Sequence, residues 1–599
     1  MANLKVAYDE RRRWAVLSTD APNRGWSRIL NACEGHTDQV EILSRTKVSL
    51  PWWRFLSSRA DIAYFVDKYN VSLEYSPKAI ELLEKANANV SAFEKCRDRK
   101  PRTRNTLEKE LKQLGFSRRL TSEQIRNVSK ISVFDAAATF SVPGAGKTTE
   151  ALATYFLRRS KETRLLVIAP KNAFASWDQQ LTLCVPICGL HFERLVGGEK
   201  KIIEKLKSDP TLMIITYHQL HVVQESLTSH LSKIEFFLFV DESHRIKGGA
   251  LRQTARAVLS LGHLPKYKLV MSGTPMPNAM SDLVPQFDFL FPEIVVDEET
   301  VADLIQPFFV RTTKGELGLP PLQRLEVAVP MSPAQWRLYH LMRSEAARQA
   351  DEILKTGDRL QFRAMGKSVI RLLQVASNPA LLARSYENHS GLLGEVLAEG
   401  GSPKLEIACG RARELAESGQ KVVIWSTFVD NVELIARRLQ DLGADFIHGK
   451  VDAGSEEEED TREGKIRRFH EDPEAFVLVA NPAACGEGIS LHEVCHHAIY
   501  VDRNYNAAQY LQSEDRIHRL GLSKGQLTSI EILYCTDSVD ESVSLRLKEK
   551  VRKMGVVLND SGLNIDPVSF DPTEIGNDEA MDNKDITDFI RHLKTEVDD

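Results

Sequence analysis

Eight consecutive residues, Ser141-Val142-Pro143-Gly144-Ala145-Gly146-Lys147-Thr148, have the types and spacing of a phosphate cradle. A short apolar run leads in, and a helical pattern follows with Ala151, Leu152, Tyr155 and Phe156 on one side. The glycines let backbone N–H groups of Gly144, Ala145 and Gly146 come close to phosphate oxygens. A helix starting at Lys147, Thr148 and Thr149 adds positive potential at its N-terminus. Lys147 then reaches the β and γ phosphates, and the Thr148 hydroxyl is the expected magnesium ligand. Such loops usually open on Gly. Ser141 stands in that place, and it is small enough for the loop to survive. The second set is Asp241-Glu242-Ser243-His244, which directly follows the apolar run Phe236–Val240 and lies 94 residues after Lys147. A carboxylate at the C-terminal end of a buried strand faces the crevice where open α/β sheets bind ligands. Asp241 is expected to hold magnesium, and Glu242 to orient and deprotonate an attacking water. His244 is expected to bridge this pair to Ser272-Gly273-Thr274-Pro275.

These groups need parallel sheets to hold them. Arg164–Pro170, Leu212–Tyr217 and Phe236–Val240 are short, continuous and β-rich, as central strands covered on both faces are. A second series follows at Lys421–Ser426, Phe476–Ala480, His497–Asp502 and Ile530–Tyr534. Two series imply two similar α/β domains. Between them, residues 331–395 carry helix signals. Ser332 is placed to cap a helix, Pro333 suits its first turn, and Gln335 can close a capping box. Trp336, Tyr339 and Met342 then share one face and are expected in a core. Residues 1–110 read as a separate small α+β unit, with Trp52 and Trp53 in packing and base stacking as the lesser alternative.

At 599 residues the chain is too long for a single core. No apolar run approaches the roughly 18 residues of a membrane helix. The first residues carry charge where a secretion signal needs an apolar stretch, so an intracellular, cytoplasmic location without a membrane partner is expected. Cys184 and Cys188 are the closest of the eight cysteines, and no second pair completes a zinc set, so reduced thiols are expected. Formal net charge is −5, so nucleic-acid affinity must come from local basic surface. Residues 96–130 hold eleven Lys/Arg against four Asp/Glu, whereas Gly555–Asp599 holds twelve Asp/Glu against three Lys/Arg.

The full set of motifs resembles the superfamily-two helicase-like ATPases, and within them the Swi/Snf family of DNA translocases, over about residues 115–550. Gln124 in LTSEQIRNV resembles the family's adenine-reading glutamine. VIAPKNAFASWDQQL, TYHQL, LVMSGTPMPN, PFFVRTTKGELGLPP and QVASNPALL follow in the family's order. The stretch from Ala480 to Gly521 contains Gly486-Glu487-Gly488-Ile489 and ends in Gln512-Ser513-Glu514-Asp515-Arg516-Ile517-His518-Arg519. By resemblance, Gly488 contributes to the nucleotide site, and Arg516 and Arg519 reach the γ-phosphate from the second lobe. Asn504-Tyr505-Asn506 stands where the family has Trp-Asn-Pro.

The resemblance implies an α/β fold of two RecA-like lobes with a helical insertion and a small N-terminal domain. The expected division is 1–110 accessory, 111–325 lobe one, 326–400 helical insertion, 401–554 lobe two and 555–599 acidic tail. It implies a nucleic-acid-stimulated ATPase that hydrolyses Mg–ATP between the lobes and moves on double-stranded DNA. Phosphate contacts are sought at Lys171 and Thr216 in lobe one, and at Ser426, Thr427 and Asn481 in lobe two. The helices spanning the roughly 150 residues between SGTP and VVIWS favour duplex DNA over RNA by resemblance. The compact build resembles bacterial or phage members or the annealing-helicase branch, pointing to genome maintenance or foreign-DNA defence. In a prokaryote it would be nucleoid-associated, and any cleavage would need a nuclease partner. An RNA or single-strand helicase of the DExH kind would use the same ATP-site residues. A nucleotide-gated scaffold is the third reading, disfavoured because Asp241, Glu242, Arg516 and Arg519 are all present.

Overall fold

The structure is a computed structural model describing residues 3–34, 40–186, 189–356, 359–383, 390–400, 402–451, 458–485, 489–523, 525–563 and 565. Cys188, Gly486–Gly488, Asn564 and residues 566–599 of the acidic tail lie outside the described residues. The chain divides into two compact units, Met1–Met276 with Met280–Thr312, and Pro277–Ala279 with Thr313–Asp599.

The first unit holds a seven-stranded parallel sheet. Its order is Phe309–Val310, Ala136–Thr139, Tyr267–Met271, Phe236–Asp241, Arg164–Ile168, Leu212–Ile215, Phe192–Arg194. The apolar runs become strands because both faces are covered. Every residue of Phe236–Asp241 and of Leu212–Ile215 is buried. Register fixes the site. Asp241 pairs with Met271, and Met271 with Thr139, so the chains leaving these strands emerge along one edge. Those chains are the phosphate loop, Glu242–His244 and Ser272–Pro275.

Residues from Asn3 to Glu94 build their own five-stranded sheet, antiparallel except where Asn3–Asp9 meets Ser72–Tyr75. This sheet belongs to the same compact unit as the parallel sheet. Tyr8 Oη meets His263 Nε2 at 2.8 Å, and Arg13 donates to Ser232 Oγ at 2.6 Å. Lys85 donates to the carbonyls of His263, Leu264 and Pro265, and Phe93 stacks on Phe308. Trp52 and Trp53 are buried in the domain and offer no face to a base.

The second unit holds a six-stranded parallel sheet. Its order is Leu322–Ala328, Thr528–Tyr534, Cys495–Tyr500, Lys421–Trp425, Val477–Ala480, Asp445–Ile447. The helices Pro333–Thr356 and Arg359–Ser377 pack beside it in a cluster that includes Phe428, Tyr505 and Val543. The capping box forms as the residues predict: Gln335 N–H donates to Ser332 Oγ, and Ser332 N–H to Gln335 Oε1, each at 3.3 Å. Tyr339 and Met342 are buried, but Trp336 is 53% exposed and lies against His340. The buried stripe is Gln335, Leu338, Tyr339, Met342 and Ala346, and Trp336 falls about 100° off its centre at ~100° per residue. Core packing therefore holds for two of the three residues.

The leading strand Leu322–Ala328 is tied to the helix Ala507–Glu514 by a buried ion pair. Arg324 Nε and Nη2 each donate to Glu514 at 2.7 Å. Burial alone would raise the Glu514 carboxyl, but Arg324 and Lys314 hold it down to about 2. Its stabilising contribution is present above the unfolded value of about 4.3 and is lost as pH falls through about 2. Arg324→Ala strands this carboxylate. Urea unfolding should lose about 3–5 kcal/mol at neutral pH, and a loss under about 1 kcal/mol would contradict the assignment.

Candidate nucleotide site and arginine segment

The phosphate loop is built by two left-handed glycines, Gly144 at φ 85° and Gly146 at φ 87°. Gly146 also lies against a neighbour. A Cβ there would sit 2.3 Å from Gln124 Nε2. Gln124 is locked from both ends: its Oε1 accepts from Thr121 N–H in a capping box, and its Nε2 donates to the Ala145 carbonyl at 3.0 Å. The predicted adenine-side glutamine thus braces the loop. Lys147 opens the helix Lys147–Arg158 and donates to the Ser141 carbonyl at 3.0 Å. Thr148 is half-buried, whereas the buried Thr149 hydroxyl donates to Gln180.

Ser141 does more than fill a glycine position. Its buried hydroxyl accepts from Thr312 N–H at 3.0 Å and lies within hydrogen-bonding reach of Thr139 and Asn127. Asn127 and Thr139 also donate to the buried carboxyl of Glu150, at 2.7 and 2.9 Å. Burial raises that carboxyl to about 7 despite these two donors. Arg311 donates to the Phe140 carbonyl beneath the loop. Sequence reasoning missed this network because its members come from four separated segments.

Asp241 ends its strand as expected. Glu242 follows at φ 52°, ψ 51°, a left-handed conformation that costs a non-glycine residue about 1–3 kcal/mol. The turn aims the two carboxylates differently. Asp241 Oδ2 accepts from the buried Trp177 indole N–H at 2.9 Å. Burial, with the Glu242 charge beside it, pushes the Asp241 carboxyl up. Burial acts on Glu242 in the same sense, but His244, Lys147 and Arg245 outweigh it and hold Glu242 well below the usual carboxylate range. Glu242 is therefore ionised at neutral pH, the form a general base requires. His244 Nδ1 lies 3.3 Å from Glu242 Oε2 and 3.0 Å from Ser272 Oγ, which realises the expected bridge. Gly273 lies so close to the phosphate loop that a Cβ would fall 2.7 Å from Pro143 Cδ.

Left-handed glycines, a helix N-terminus, Lys147 and a strand-end carboxylate together fit a magnesium-bound nucleoside triphosphate. Thr148 and Asp241 are the residues that would hold the metal, which when bound supplies charge neutralisation at the phosphates.

In the second unit, Arg516 is 7% exposed and donates to the carbonyls of Gln512 and Ile489 at 2.8 and 2.7 Å. Arg519 is less enclosed, and its Nε finds no hydrogen-bond acceptor among the described residues. Lys314 pairs with Asp515, and His518 Nε2 meets the Pro320 carbonyl at 2.8 Å, so the segment is held on both sides. Ser426, Thr427 and Asn481 are buried. The Ser426 and Thr427 hydroxyls donate to Asp502, and Asn481 donates to the Thr427 carbonyl. Lys171 is exposed, and Thr216 caps the helix Tyr217–Val222.

Two parallel sheets, one carrying a phosphate loop with a strand-end Asp-Glu pair and the other an arginine-bearing helix end, define the helicase-like class. Family models agree. Residues 142–302 match the SNF2-related domain, and residues 404–521 match the helicase conserved C-terminal domain. The chain thus carries two domains similar to those of SNF2-related helicase-like proteins. A Bacillus subtilis chain named "Putative ATP-dependent helicase/translocase YwqA" is 26% identical over 442 residues, covering 68% of this chain and 45% of that one. The ATP-dependent helicase brm of Drosophila melanogaster is 24% identical over 464 residues, covering 69% and 28%. The chain thus spans less than half the length of these curated relatives. Among solved structures, the SWI2/SNF2 ATPase core of Sulfolobus solfataricus in complex with dsDNA is 23% identical, with a TM-score of 0.32, covering 75% of this chain and 95% of that one. No helix among the described residues is long and apolar enough to cross a membrane.

Proposed function

We propose that this chain is a Mg–ATP-dependent translocase on double-stranded DNA, serving genome maintenance or foreign-DNA defence. The observation that carries the catalytic part is the first unit's edge. Lys147 follows the strand Ala136–Thr139, Asp241 ends the strand Phe236–Asp241 with Glu242 next, and Tyr267–Met271 is paired between the two strands. The relatives' names support the helicase and translocase part, and the DNA part rests on the resemblance of the sequence motifs to the Swi/Snf translocases. Lys147 binds phosphate oxygens, and Glu242 accepts the proton of the attacking water. Arg519 stabilises charge on the transferring phosphoryl group once the second lobe closes. Lys171 and Thr216 grip one strand through its phosphates, so binding is salt-sensitive and largely blind to sequence. The reading is tested by ATPase rates with duplex, single-stranded and forked DNA and with RNA. Strong stimulation by duplex DNA is expected, and equal stimulation by RNA would favour the DExH-type helicase.

The two arginines should separate in their effects. Arg519→Ala is expected to lower kcat by about 100-fold or more without shifting the urea midpoint, as loss of a charge-stabilising donor does. Arg516→Ala should lower both kcat and stability, because two carbonyls lose their donor. Equal unfolding midpoints for both variants would contradict this division.

A further inference from the structure

We infer that Tyr217 and Trp177 are positioning residues that transmit duplex binding to the catalytic carboxylates, an inference that rests on the proposed DNA-stimulated ATPase. Two elements carrying proposed strand contacts are hydrogen-bonded to one catalytic dipeptide. Thr216 caps the helix Tyr217–Val222, and the next residue, Tyr217, donates its hydroxyl to the carbonyls of Asp241 at 2.5 Å and Glu242 at 3.2 Å. Lys171 opens the short turn Lys171–Ala173, which runs directly into the helix Phe174–Cys184. That helix carries Trp177, which is fully buried and donates to Asp241 Oδ2 at 2.9 Å. One tether therefore holds the Asp241 carboxylate and the other holds the peptide groups on either side of the Glu242 turn. Both originate beside residues placed to meet the nucleic-acid backbone.

The dipeptide is responsive to such tethers. Glu242 sits at φ 52°, a conformation its surroundings must maintain, since an L side chain rarely adopts it unaided. A small shift of either helix would redirect the Asp241 carboxylate or rotate the Glu242 peptide, and rates fall steeply when a reacting group is misplaced by about 1 Å. Both side chains are almost wholly buried, Tyr217 at 6% and Trp177 at 0% exposure, so they transmit without touching DNA themselves.

Tyr217→Phe removes only the hydroxyl and is the decisive variant. In the full chain, basal ATP turnover should fall by no more than about tenfold, the upper range for loss of a hydroxyl's ordinary hydrogen bonds. The ratio of duplex-stimulated to basal turnover should fall at least about fivefold, with the Kd for a fluorescent 30-base-pair duplex unchanged. Hydrogen exchange supplies a second readout. Amides of Val240–Ile246 should slow when duplex is added to the unaltered chain, and should not respond in Tyr217→Phe. Trp177→Phe should act in the same direction. A parallel fall in basal and stimulated rates, leaving their ratio intact, would overturn the coupling role while leaving the proposed function standing. Absence of duplex stimulation in the unaltered chain would overturn both.

Discussion

Lys147→Ala is expected to reduce ATP turnover at least ~100-fold, the scale on which loss of one preorganised charge-stabilising group is felt. Lys147 is the first side chain of the helix that follows the loop, and its Nζ is drawn back to the Ser141 carbonyl across the cradle. Alanine there removes the cation of the loop that is proposed to meet the β and γ phosphates. Nucleotide affinity should fall with turnover, since the charge acts on the bound ground state as well as on the transition state. Duplex binding should persist, because the proposed strand contacts Lys171 and Thr216 sit on other segments. Steady-state ATPase assays with a fluorescent nucleotide titration check both points. Turnover within tenfold of the unaltered chain would contradict the assignment.

Glu242→Gln is expected to separate binding from chemistry. Glutamine keeps the size and the left-handed backbone but cannot accept the proton of the attacking water. Loss of a general base typically lowers rate by about 10²–10⁴. ATP affinity should stay within a few-fold, because Lys147, the glycines and Asp241 are untouched. A low kcat with unchanged nucleotide Kd is the predicted signature, readable by single-turnover hydrolysis alongside equilibrium binding. A variant that instead loses ATP binding would assign Glu242 to nucleotide capture.

Much of the candidate site's geometry was legible because it is local. Gly144, Gly146 and Lys147 sit within four residues, and Asp241 follows an apolar strand, so spacing and periodicity sufficed. The two sheets were legible for the same reason, since runs such as Leu212–Ile215 are apolar throughout. What escaped was tertiary. The Trp177–Asp241 and Arg324–Glu514 bonds join residues 64 and 190 positions apart, and pattern within a window cannot find them. Ser141 read as a tolerated glycine replacement, whereas its hydroxyl ties the loop to Thr312. Trp336 showed how a three-residue spacing overstates a face: the stripe was real but centred elsewhere. Ser426 and Thr427 are sought as phosphate contacts by the resemblance, yet Asp502 has recruited both hydroxyls into a buried cluster.

The proposed function has Lys147 and Glu242 of the first unit and Arg519 of the second act on one triphosphate. Hydrogen exchange of the full chain with ADP–beryllium fluoride, a mimic of the bound γ-phosphoryl group, tests it most directly. Strong protection is predicted in two separated peptides, one spanning Ser141–Glu150 and one spanning Gln512–Leu522, with the second protection abolished in Arg519→Ala. Protection confined to the first peptide, and indifferent to Arg519, would contradict the claim.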